Sequence, residues 1–298
     1  MSALAQGAVF DLSSRTKLRI TGSDRLRYLN GQITNDLRKA TAGRKVQACV
    51  LSAKGKINAE IFAVVDGESF LIDSDCGMRE QLTARLERYI IADDVQIADA
   101  TEEMALFHVV GGDVSMTPAG CADAHAKRFG CEGIDLWLKR ADGEVALQAL
   151  AAQWPLCDDQ CADTLRIERG IPRWGRELTD EIIPNEAGLE ASVIDYAKGC
   201  YIGQEVISRI KMSGQTNKRL CGFVCHPGSS LKPGARLRTT AGEAREVGWI
   251  TSVTESARLR QTIALGYVKR GSQEVGTQLA AVADSGTVTV TIVPLPFL

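Results

Sequence analysis

The residues best suited to chemistry in this 298-residue chain lie between Asp195 and Lys211, in the run Asp-Tyr-Ala-Lys-Gly-Cys-Tyr-Ile-Gly-Gln-Glu-Val-Ile-Ser-Arg-Ile-Lys. Cys200 stands between Gly199 and Gly203, with Lys198 two residues upstream. Val206, Ile207 and Ile210 then share one helical face, and Glu205 precedes Arg209 by four residues, the favourable order for a helix ion pair. A cysteine at such a helix entry meets free backbone N–H groups and the positive end of the dipole. Both favour the thiolate, the form that attacks disulfides and ligates metals. The glycines let backbone approach a ligand without a Cβ in the way. The competing reading makes Cys200 a small apolar filler, the common fate of a free cysteine.

The surrounding residues decide between the two. Lys198-Gly199-Cys200-Tyr201, followed by Gly203-Gln204-Glu205, closely resembles the signature K-G-C-[FY]-x-G-Q-E of the YgfZ-like folate-binding proteins. Those are relatives of the glycine-cleavage T-protein (aminomethyltransferase), associated with iron–sulfur cluster assembly or repair. The resemblance covers nearly the whole chain. It includes Arg166-x-Glu168-x-Gly170, Val247-Gly-Trp-Ile-Thr251, Ile263-Ala-Leu-Gly-Tyr-Val268 and the terminal Pro294-Leu-Pro-Phe297. It implies an α+β, three-lobed aminomethyltransferase-like folate-binding fold with a C-terminal antiparallel β-barrel. It also implies tetrahydrofolate, or another reduced folate, as cofactor.

Further site residues follow from that resemblance. A pterin offers a ring N–H beside an exocyclic amine, which one carboxylate accepts as two parallel hydrogen bonds. Glu168, in the R-x-E-x-G block, is the candidate; without the block it reads as a solvated helix charge between Arg166 and Arg169. Glu60, five residues after Gly55 and on one strand face with Asn58 and Phe62, matches the G-x-x-x-x-D position of aminomethyltransferases, with glutamate in place of aspartate. That departure tells against one-carbon transfer; the alternative reading of Glu60 is a carboxylate on a strand's wet face. Arg209, Lys211, Lys218 and Arg219 form a basic cluster able to hold a folate's glutamate tail, or simply a solvated face. Tyr201 and Trp174 are candidate stacking partners for the ligand's rings, or core aromatics. Lys198 is carried over as a folate contact with the motif. Cys200 as functional thiol fits transient iron or cluster ligation, exchange with a partner's disulfide, or redox reporting. A single cysteine does not make a stable cluster site, so no permanent metal is expected.

Composition bounds the rest. Net charge is −2, giving no global pull toward nucleic acid, and the basic segment has no interleaved aromatics to stack bases. No apolar run reaches bilayer length, and the first residues lack a secretory signal pattern. The expected location is the cytoplasm, or an organelle matrix after presequence removal. The expected partners are iron–sulfur client or assembly proteins, met by a monomer. Nine cysteines, an odd number, argue against a disulfide framework; Cys157 with Cys161, and Cys221 with Cys225, are weak metal signals.

The elements that must position these residues can be read in order. Strands are expected at 17–20, 46–51, 57–65 and 69–73, with a hairpin turn at Asp66-Gly67. A short helix over 25–30 is capped by the Thr21–Asp24 turn and closed by Gly31. Met78, Leu82, Leu86 and Ile90 recur every four residues, so 77–91 reads as an amphipathic helix. Strands follow at 95–97, 104–110 and 134–139, with a loop without period from 111 to 133. Helices are expected over 144–153 and 163–169. Six short strands from 220 to 293 then signal a small barrel or sandwich. The domain boundary is placed at 213/214, leaving a folate-binding region over 1–213, with an inner lobe near 44–112, and a barrel over 214–298. The leading reading is a tetrahydrofolate-binding accessory factor for iron–sulfur assembly or repair. The alternative is a folate-dependent aminomethyl transferase; the early first strand–helix unit and the K-G-C-Y block favour the former.

Overall fold

The computed structural model describes residues 7–111, 122–240, 242–284 and 286–298. They form two compact units: residues 1–158 with 190–208, and residues 159–189 with 209–298. The segment 159–189 thus packs with the C-terminal strands.

Unit 1 holds two five-stranded sheets. Its strands are β1 (Ala8–Asp11), β2 (Thr16–Thr21), β3 (Val46–Leu51), β4 (Ile57–Asp66), β5 (Ser69–Ser74), β6 (Gln96–Asp99), β7 (Met104–Val110), β8 (Ala122–Ala126), β9 (Gly133–Lys139) and β10 (Leu156–Cys157). One sheet runs β10-β1-β7-β9-β8, the other β3-β4-β5-β2-β6. Helices α1 (Arg25–Gln32), α2 (Arg79–Glu87) and α3 (Gly143–Ala151) cover them. β3 and β7 have the bounds their apolar runs predict. β8 lies in the stretch read as loop, and β1 and β10 join a sheet edge that no pattern announced.

Helix α1 departs from its expected ends. Gly31 lies inside it, and the helix passes through to an extended Ile33. Asp24 occupies the N-cap without a side-chain capping bond; its Oδ2 instead accepts the Asp94 N–H at 2.9 Å. Helix α2 stops at Glu87 rather than 91, because Ile91 is 90% exposed and carries no apolar face onward.

Unit 2 contains α4 (Asp159–Glu168) and a closed six-stranded barrel: β11 (Lys218–Cys225), β12 (Arg236–Thr239), β13 (Glu246–Ser256), β14 (Gln261–Lys269), β15 (Gln278–Ala283) and β16 (Gly286–Val293), in the order β11-β14-β13-β12-β15-β16. Closure removes the sheet edges that a sandwich would leave. Phe223, Leu237, Ile250, Ala264, Val290 and Ile292 fill its interior. A short helix α5 (Glu190–Val193) belongs to unit 1, and α6 (Gln204–Ser213) carries the chain from one unit to the other. Among the described residues no helix is long and apolar enough to cross a membrane.

Candidate functional site

The motif around Cys200 is held by backbone. Lys198 is 7% exposed, and its ammonium donates to the carbonyls of Asn30 (2.8 Å), Ile33 (2.8 Å) and Asn35 (2.6 Å). Three donors meet three acceptors, so Lys198 ties the segment to the end of α1 and has no proton left for a ligand. Burial pulls its pKa down to about 8, with Asp36 and Asp195 opposing. Tyr201 is buried beneath the same ammonium, 5.3 Å from the ring centre, and burial pushes its hydroxyl far above the usual tyrosine range. Asp195 accepts from Lys39 at 2.8 Å and caps Ala197 N–H at 2.8 Å. Thr34 bridges the layers, accepting from Cys49 N–H at 2.9 Å and donating to the Val193 carbonyl.

Cys200 itself is exposed. The helix begins at Gln204, so the thiol stands in the glycine-flanked entry, four residues ahead of the first helical residue. Gly203 permits a close approach to the chain's own backbone rather than to a ligand: at φ +87°, a Cβ there would meet the Ser52 carbonyl oxygen at 2.6 Å. Gly199 has open space around it. Cys49 and Cys221 are buried and Cys76 is exposed; Cys121 lies outside the described residues. Burial raises the Cys49 thiol well above the ordinary value. Among the described residues no group of three or more His, Cys, Asp or Glu is placed to hold a metal ion.

A cavity of about 340 Å³ opens within unit 1, lined by residues that include Asn35, Lys39, Arg44, Lys45, Gln47 and Phe62, and closed on one side by Ser192 and Ile194 from the segment leading into the motif. Glu60 is half-buried, stands opposite Cys49 on β3 and accepts the amide N–H of Gln47, its diagonal neighbour on that strand, at 2.5 Å. Burial raises the Glu60 carboxyl above the usual range, and the Gln47 bond and the Arg15 and Arg128 charges only partly offset it.

Behind the cavity lies an ion cluster that no motif revealed. Arg128 reaches Asp135 through Nε (2.8 and 2.9 Å) and Nη2 (2.6 Å), and Asp73 through Nη1 (3.0 Å) and Nη2 (2.7 Å). Lys45 bonds both carboxylates, at 3.0 Å to Asp73 and 2.5 Å to Asp135. Arg15 adds a 2.6 Å bond to Asp73, and His108 Nδ1 lies 2.7 Å from Asp135. Burial alone would raise both aspartates; Arg128 and Lys45, joined by Arg15 at Asp73 and by His108 at Asp135, outweigh it and hold them well below the carboxylate range. Burial keeps His108 below its ordinary pKa against the pull of Asp135. Gly133 makes room for that ring, because a Cβ there would sit 2.6 Å from Nε2.

The other candidates belong to unit 2. Glu168 is buried at the end of α4; its Oε1 accepts from Ser256 at 2.5 Å and its carbonyl from Phe297 N–H at 2.9 Å. Arg166, two residues earlier, is bound to Glu177 (2.9 Å), Asp163 (2.6 Å) and Ser252 (2.7 Å). Trp174 is half-buried in the following loop, and Arg209 is exposed on α6. The structure therefore gathers Cys200, Lys198, Tyr201 and Glu60 in one unit, and Glu168, Trp174 and Arg209 in the other.

Residues 2–126 match the GCVT N-terminal domain, and residues 218–298 match the glycine cleavage T-protein C-terminal barrel domain. The chain belongs to the glycine-cleavage T-protein (aminomethyltransferase) family. An aminomethyltransferase of Rubrobacter xylanophilus is 28% identical over 98% of this chain and 83% of its own length. A putative chloroplastic transferase of Arabidopsis thaliana is 26% identical over 94% of this chain and 70% of its own. The crystal structure of the glycine cleavage system aminomethyltransferase T from Bartonella henselae superposes with a TM-score of 0.84 at 16% identity, covering 99% of this chain and 89% of that one. The aminomethyltransferase-like α+β fold with its six-stranded antiparallel barrel is thereby established.

Proposed function

We propose that this member of the T-protein family is a tetrahydrofolate-binding accessory protein for assembly or repair of iron–sulfur proteins, with Cys200 as its working thiol. The observation that carries the reading is the contrast inside the K-G-C-Y run: Lys198 is buried and bonded in place and Tyr201 is buried beneath it, while Cys200 between them is exposed. A loop fixed this firmly presents one sulfur to an incoming partner, an iron–sulfur client or an assembly protein. The iron or cluster would be cargo, ligated transiently by the thiolate.

The unit 1 cavity suits a reduced folate by its chemistry. Gln47 offers an amide to a ring edge, Phe62 an aromatic surface, and Lys39 and Arg44 cations for the glutamate carboxylates. Separately, in unit 2, the family resemblance makes Glu168 a candidate folate contact, its carboxylate keeping acceptor capacity beyond its bond from Ser256. When bound, the reduced pterin supplies nitrogens able to carry a one-carbon unit.

The names of the relatives favour a second reading, a folate-dependent aminomethyl transferase, with Glu60 at the position of the family's aspartate. Calorimetric titration with 5-formyltetrahydrofolate, followed by an assay for one-carbon transfer from an aminomethylated carrier protein, separates the two. The accessory reading expects binding without transfer; turnover would establish the transferase, and absence of binding heat would remove both. In the same titration Glu168→Ala is expected to weaken binding by about 2–3 kcal/mol, the scale of a lost charged hydrogen-bond pair.

A further inference from the structure

Phe62 lines the unit 1 cavity from β4 and is itself 6% exposed. Across the sheet it pairs with Gln47 on β3 and Asp73 on β5, so all three project from one face. The Arg128 guanidinium lies over its ring, 4.2 Å from the centre, and that of Arg15 lies 5.9 Å away. Both cations bond the same oxygen of Asp73, Arg15 at 2.6 Å and Arg128 at 3.0 Å, which gathers them on the Asp73 side of the ring. Arg128 cannot swing aside, because five N–H···O contacts to two buried carboxylates fix its plane. A guanidinium stacked on an aromatic face holds that ring and polarises it. Among the described residues lining the cavity, Phe62 is the one carbocyclic aromatic.

We infer that Phe62, pinned through Arg128, is the platform on which a flat heteroaromatic ring of the ligand stacks in this cavity. The inference rests on the folate reading and adds to it a residue that determines selectivity for the ring. Phe62 would touch the ligand; Arg128 is a positioning residue acting through it.

The test uses the full chain and 5-formyltetrahydrofolate. Phe62→Leu is expected to weaken binding about tenfold, the scale of one lost ring stack. Phe62→Trp is expected to keep the affinity, and the emission of the added indole, taken as the difference from wild type, is expected to be quenched by ligand. The second variant answers even where the first fails to fold. Wild-type binding with Phe62→Leu unchanged, or with the Phe62→Trp emission unaffected, overturns the platform alone. A wild type that binds no folate overturns the folate reading and the platform with it.

Discussion

The two units answer the same problem, filling an interior, with different materials. The barrel of unit 2 is closed over hydrocarbon, and its buried pair Arg166–Glu177 is cushioned by hydroxyls: Thr251 and Ser252 each donate to Glu177 at 2.6 Å. Unit 1 buries Asp73, Asp135, Arg128, Lys45 and His108 together, with Arg15 at the margin. Ions taken out of water are costly, and apolar packing of the same volume is often as stable or more so. Lys45, Arg128 and Arg15 meet the two carboxylates directly behind a cavity that Lys45 and Phe62 line. The difference teaches where this chain accepts its largest electrostatic cost: beside the cavity of unit 1, and not inside the barrel of unit 2.

The sharpest way to break that contrast is to remove one cation from each unit. Arg128→Met takes five N–H···O contacts from two buried carboxylates, and a loss of about 3–5 kcal/mol is expected in the stability of unit 1. Arg166→Met leaves Glu177 with its hydroxyl donors and the Arg173 N–H at 3.1 Å, so about half that loss is expected in unit 2. Peptide-resolved hydrogen exchange in urea reads the units separately; equal losses would dissolve the distinction.

Acid sharpens it next. Asp73, Asp135 and His108 all have folded pKa values below their unfolded ones. In each case the unfolded state binds protons first, so stability falls as pH falls. The His108 contribution begins to be lost below about pH 6.5, and that of the aspartates below about pH 4. Unit 1 protection is therefore expected to decline between neutral and acid pH; protection that rose on acidification would contradict the assigned signs.

How much of this was legible in the sequence depends on how local the cause was. β3, β4 and β7 follow from apolar runs, and the six barrel strands from close spacing between Gly, Ser and Pro. Gly203 was legible as a close-approach position, since a helix entry packed on the Ser52–Lys56 turn needs one. Lys198 was misjudged, because its three acceptors are backbone carbonyls that no side-chain pattern encodes. The ion cluster was invisible for a related reason: Arg128 follows a stretch without period, 55 residues from Asp73, and joins it only once both sheets have formed. Gly31 looked like a helix stop, yet no positive φ is required of it.

A smaller effect probes the motif loop. Gly203→Ala forces a Cβ to within 2.6 Å of the Ser52 carbonyl at φ +87°, and about 1–3 kcal/mol of destabilisation is expected by thermal melting. Cys200→Ala, at an exposed position nearby, is expected to change stability by no more than about 0.5 kcal/mol.

That near-neutrality makes Cys200→Ala the most direct probe of the central claim. In cells deleted for this protein, the activity of iron–sulfur enzymes should return with the wild-type chain and stay low with Cys200→Ala at equal protein level. Full restoration by the alanine variant would contradict the account, leaving the sulfur without a task.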